Sequence, residues 1–340
     1  MMERNDLQSL NKYRSQIMGV AALWILIFHE WQIVTEGCWG LYVAEKAIKR
    51  IGFCGVDFFF FLSGIGMTYA IAKYRVTTFY KRRIVNVFLP FLVTAIVMAF
   101  VQHWSFSDFL KNTFFFNFYM DSIYSFLWFV PAIFTFYLLF PLYYKVFART
   151  QSKVQFTVCL LLIWVLVSVA LRDIMRPDLY GFTNRIPVFV VGILAGWILQ
   201  NKNVIFTKLT WKICICAFLL GLYFAYLTNY EDYFLVVPTS NCCIPNFLMA
   251  ISGSCLLGWL FLRADTHLKM FGQGILKVFG FLGSISLELY CVEEWLGNRL
   301  RTILDLNSKL LINVIVFACI ICSACLLHVI CKLIRRIFTK

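Results

Sequence analysis

Ten stretches of this chain are apolar for long enough to cross a bilayer. They fall at about 15–34, 53–72, 84–101, 124–147, 156–171, 185–200, 212–230, 245–262, 278–296 and 311–331. Spans of about 17–25 largely apolar residues suit helices that are tilted or packed in a bundle. Overall composition agrees, with 61% hydrophobic and 14% charged residues, against soluble values of about 45–50% and 25%. Mean hydropathy is +0.79. The expected fold is all-α: a polytopic membrane helix bundle of about ten transmembrane helices, with residues 1–340 as one membrane domain. The segments at 156–171 and 185–200 are short and expected to be tilted or half-buried.

A net charge of +14 resembles a nucleic-acid signal until it is mapped onto the spans. With the amino terminus in the cytoplasm, 21 of the 31 Lys and Arg residues fall on the inner side. That bias follows the positive-inside rule for short loops, so membrane orientation accounts for the charge and no nucleic-acid partner is needed. Both termini are expected to be cytoplasmic. The first apolar run is long and lacks a small-residue cleavage site, so it is expected to remain as the first helix rather than be removed.

The loops differ in character. Residues 73–83 form a basic inner loop (Lys73, Arg75, Lys81, Arg82, Arg83) with Pro90 in the next helix. Residues 231–245 form an outer loop with Glu231, Asp232, Pro238 and Pro245 and no Lys or Arg. The aromatic-rich piece at 102–123 is expected to lie on the membrane surface or to cover a cavity. No internal repeat of the kind many transporters carry is visible.

Most of the thirteen cysteines fall inside the expected helices, where cysteine behaves as a small hydrophobe. Cys38, Cys54, Cys242 and Cys243 are placed toward the outside, and nothing in the sequence fixes a pairing among them. Cys319, Cys322, Cys325 and His328 are spaced like metal ligands. On a helix they spread over about 13 Å, too far to enclose one tetrahedral zinc, so they are read as helix packing and no metal is expected.

Ionisable groups within spans are costly and therefore candidates for function. His29 lies near the outer end of the first expected span, and Asp57 near the outer end of the second, at comparable depth. A carboxylate beside an imidazole fixes its tautomer and favours the cation formed on proton abstraction. His29 and Asp57 are thus the candidate catalytic pair. A purely structural pair is the alternative reading.

Several segments resemble the acyltransferase-3 family of integral-membrane O-acyltransferases. Gly19 to His29 is similar to the family's Arg-x10-His helix, and Gly55-Val56-Asp57 through Leu62-Ser63-Gly64 to its Gly-Val-Asp segment. Lys81-Arg82-Arg83-Ile84 with Pro90 resembles the basic turn that follows. Leu127-Trp128-Phe129, Phe136 to Pro141, Arg185-Ile186-Pro187 and Gly283 to Tyr290 resemble later helices in the same order. Where the family's first helix has its arginine, this chain has Met18. Arg14 lies one turn earlier on the same face, about 22 Å from His29. Where many relatives have a histidine after the Tyr290 segment, this chain has Glu293.

The resemblance implies transfer of an acetyl group from cytoplasmic acetyl-CoA to a hydroxyl of an extracytoplasmic or lipid-linked glycan. The setting it implies is a bacterial cytoplasmic membrane. Acetyl-CoA is then a substrate, and no bound cofactor is expected. Arg14, Arg82 and Arg83 cluster at the inner face, where guanidinium groups pair well with CoA phosphates. Glu288 is expected to position the acceptor or to pair with Arg185. Trp128, Tyr137 and Glu293 are candidates for the acceptor site or a channel lining. The rival functions are a non-enzymatic exporter of a glycan or lipid intermediate, and a scaffold that works only with a partner. No motif identifies the acceptor, and the oligomeric state is not readable.

Overall fold

The computed structural model describes residues 7–121, 125–171, 180–202, 204, 206–230, 240–304 and 306–338. Most of the acidic outer loop expected at 231–245, including Glu231, Asp232 and Pro238, lies outside these residues. Among the described residues the regular elements are helices, and no strand is present.

The principal helices are α1 (Arg14–Glu30), α2 (Gly55–Lys73), α3 (Leu89–Val101), α4 (Phe129–Arg149), α5 (Lys153–Ala170) and α6 (Ile186–Asn201). They continue as α7 (Lys208–Tyr230), α8 (Ser240–His267), α9 (Lys269–Ser284), α10 (Ser286–Ile303) and α11 (Lys309–Phe338). Nine of the ten expected spans each fall on one of these helices, and the one at 278–296 straddles α9 and α10. Among the described residues eight helical segments are long and apolar enough to cross a membrane and a bent pair makes a ninth, so α1, expected as the tenth, is not among them. Helix α1 is 17 residues long, about 25 Å at the usual rise.

The bent pair departs from the expected straight span at 278–296. Helices α9 and α10 meet at an angle of 68°. The cause is local. The Ser284 hydroxyl donates to the Phe281 carbonyl at 2.7 Å, and the Ser286 hydroxyl to the Gly283 carbonyl at 3.0 Å. Serine hydroxyls that bond backward in this way compete with the helix ladder and bend it.

Helix α2 is the hub. Its residues from Gly55 to Thr68 are all buried, as expected of a helix surrounded by others rather than facing lipid. Lipid and protein interior are equally apolar, so helices in a membrane associate through close packing of small residues. Here a methyl on Gly64 or Gly192 would strike the facing backbone of α6 or α2. The same closeness holds α1 against α9 at Gly19 and Gly283. Helices α5 and α7 lie at the rim, where Leu162, Leu166, Ile213 and Leu219 are exposed.

The 102–123 piece forms two short helices, Phe106–Thr113 and Phe116–Asp121. Phe115 tucks between Phe88, Phe91 and Phe134, and Phe118 meets Phe182. Phe106 and Phe114 stay exposed.

Candidate active site

Four helices and one turn line a cavity of about 180 Å³. Each wall is one helical stripe. Arg14, Met18, Ala22 and Ile25 come from α1, and Val56, Phe59, Ser63 and Gly66 from α2. Phe129, Ile133 and Tyr137 come from α4, and Ser286, Leu289, Tyr290 and Glu293 from α10. Spacings of three and four residues put each set on a single face. The bend at Ile285 redirects the chain into α10, the element that carries Tyr290 and Glu293 to the cavity.

The cavity is polar at both ends. At one end stand the Arg14 and Arg83 guanidinium groups, Arg83 lying over the Tyr137 ring at 5.1 Å. Gly66 lies against Arg14 so closely that an added methyl would collide with the guanidinium. Arg83 is placed by an irregular turn. Pro90 has no N–H to return to the Asn86 carbonyl, and the turn at Ile84–Phe88 widens to π-helical geometry. Neither guanidinium has a carboxylate partner among the described residues. Tyr137 donates weakly to the Ser63 hydroxyl at 3.4 Å.

At the other end Glu293 is 2% exposed and makes no hydrogen bond or ion pair among the described residues. One turn before it, the Tyr290 hydroxyl oxygen accepts the Phe129 N–H at 3.1 Å. That N–H belongs to the first residue of α4, one of the donors a helix start leaves over. The chain enters α4 through buried Leu127 at φ 49°. A left-handed conformation costs such a residue about 1–3 kcal/mol and is typical of functional sites.

Of the candidate residues, Arg14, Arg83, Tyr137 and Glu293 meet here, and the others do not. The expected His29–Asp57 pair is not formed. Asp57 follows Val56 by one residue, which turns it about 100° away from the cavity. Its carboxylate accepts from Asn246 Nδ2 at 2.8 Å and lies 3.6 Å from Arg185. His29 continues the α1 stripe one turn beyond Ile25, with an exposed ring set edge-on to Phe28 at 4.8 Å. The buried group at that end of α1 is Glu30, paired with Arg301 at 3.2 Å.

Other expectations are corrected as well. Glu288 pairs with His328 at 2.9 Å, not with Arg185, because α10 turns that face toward α11. Arg185 instead lies over Trp128 at 5.5 Å, outside the cavity. Arg82 is exposed and stacks on Tyr74 at 4.1 Å.

Sequence reading left Ser63, Gly66 and Tyr290 without site roles. All three carry a signal in hindsight. Ser63 stands four residues after Phe59 and Gly66 three after Ser63, and Tyr290 stands three before Glu293.

Residues 17–332 match the model of a family described as an acyltransferase domain. No curated protein and no solved structure matches the chain.

Proposed function

The chain belongs to the acyltransferase-3 family, and from that premise we propose that this membrane acyltransferase moves an acetyl group from cytoplasmic acetyl-CoA to a hydroxyl of an extracytoplasmic or lipid-linked glycan. The observation that carries this reading is the cavity with two guanidinium groups at one end and a carboxylate at the other, none of them in an ion pair among the described residues. The positive-inside bias assigns the arginine end to the cytoplasm.

A CoA thioester fits that polarity. Its phosphates suit Arg14 and Arg83, which form strong charge-assisted bonds to phosphate oxygens. The cavity, lined mostly by apolar side chains between its polar ends, suits the acyl-thioester arm. The nucleotide then stays at the cytoplasmic mouth. The Arg14–Ile25 stripe covers eleven residues, about 16 Å of helix, over which the arm is threaded. The acceptor hydroxyl arrives from the opposite end, past His29. Acetyl-CoA is a substrate here, and the membrane a bacterial cytoplasmic one.

Cells supplied with labelled acetyl-CoA precursors test this. Acetyl label should reach surface glycans with the protein and be absent without it. Arg14→Gln and Arg83→Gln should each weaken acetyl-CoA binding roughly ten- to a hundredfold, the worth of one charge-assisted hydrogen bond. Movement of an unmodified glycan with no dependence on CoA would point to an exporter instead.

A further inference from the structure

An alcohol becomes a nucleophile only if some group takes its proton as it attacks. The cavity is lined by arginine, tyrosine and serine side chains, by apolar residues, and by the Glu293 carboxylate. Of these, Glu293 alone is a base. It is 2% exposed, faces the cavity, and spends its lone pairs on no donor among the described residues. A carboxylate in such a place is expensive, and native structures rarely leave one without a task.

Tyr290 supplies the complementary function. Its oxygen already accepts the Phe129 N–H, so its own proton is free to be donated, and the accepted bond polarises the hydroxyl further. Tyr290 and Glu293 are three residues apart on α10, so their side chains rise from one face with Cβ atoms about 5–6 Å apart. His29 is placed differently, one turn beyond the cavity on α1, with its ring exposed.

We infer that Glu293 is the general base of the transfer and Tyr290 the donor to the oxyanion, an assignment that rests on the acyltransferase reading above. The acceptor oxygen attacks the thioester carbonyl carbon while its proton passes to a Glu293 oxygen. The carbonyl π electrons move to the carbonyl oxygen, which takes a hydrogen bond from Tyr290. Collapse re-forms the carbonyl and breaks the C–S bond. The CoA thiolate leaves and takes the proton from Glu293. The products are an acyl ester and the CoA thiol, with the carboxylate restored.

The test compares purified full-length variants in single-turnover transfer from acetyl-CoA to two acceptors, a hydroxyl acceptor and hydroxylamine. Hydroxylamine needs no base to attack at neutral pH. Glu293→Gln should slow transfer to the hydroxyl by about 10²–10⁴-fold, the usual worth of a positioned base. Transfer to hydroxylamine should fall less than tenfold, and acetyl-CoA binding should hold. Tyr290→Phe should slow both acceptors by about 10²–10³-fold, as loss of one oxyanion donor does. Equal losses for both acceptors in Glu293→Gln would mean a structural role and overturn the assignment. So would a His29→Ala loss larger than that of Glu293→Gln. If wild-type protein neither binds nor uses acetyl-CoA, it is the acyltransferase reading with this donor that fails.

Discussion

Two kinds of buried charge coexist in this bundle. Around Asp57 the charges are paired: Asn246 donates to the carboxylate, Arg185 lies 3.6 Å from it, and the Gly181 carbonyl takes an Arg185 N–H at 2.7 Å. Around the cavity, Arg14 and Glu293 have no hydrogen-bond or ion-pair partner among the described residues. Both arrangements remove charge from water, and only the first recovers part of the cost within the protein. The difference separates charges that hold helices together from charges kept ready for something that arrives.

That contrast is open to attack by substitution. Asp57→Ala strands Arg185 in the interior and should destabilise the protein by about 3–5 kcal/mol. Thermal unfolding in detergent reads this, and an unshifted midpoint would dissolve the distinction. Gly66→Ala drives a methyl into the Arg14 guanidinium. It should weaken acetyl-CoA binding roughly tenfold or more, the loss of about 1.5–3 kcal/mol of charge-assisted bonding, with the fold intact by the same melting assay.

Glu293→Gln carries the opposite sign from Asp57→Ala. Removing an unanswered charge should raise stability by about 0.5–2 kcal/mol, the familiar exchange between stability and activity at functional sites. A fall in the melting midpoint would mean that Glu293 has a structural partner after all. The smallest effect belongs to Lys12 and Asp265, a pair at 2.9 Å whose side chains are 59% and 30% exposed. Asp265→Asn should cost no more than about 1 kcal/mol, and less in high salt.

Hydropathy placed the helices well because crossing a membrane is a local requirement on each segment. The bend between α9 and α10 was not foreseen, since hydropathy is blind to a serine hydroxyl that turns back on its own helix. Position along each span was the basis for setting His29 and Asp57 at comparable depth, yet Gly55 packs against Ala21 and Ile25, which sets Asp57 well short of His29 along α1. Nor could position say toward which neighbour each side chain pointed. On a helix, adjacent residues differ by about 100° in direction, which is why Val56 lines the cavity and Asp57 does not. From the sequence, Arg14 and Arg83 were named as phosphate partners, and Tyr137 and Glu293 as candidates for the acceptor site or a channel lining. Nothing in it showed that they share one space.

The amino-acid order by itself thus determined a set of membrane helices and their family, because the demand that every span be apolar acts on each segment alone. Which ionisable groups are neutralised and which stand open was decided only when those helices packed. A partner forty or two hundred residues away along the chain is brought near by the rotation and tilt of whole helices, as Glu288 meets His328 and Asp57 meets Asn246. No local pattern carries that information.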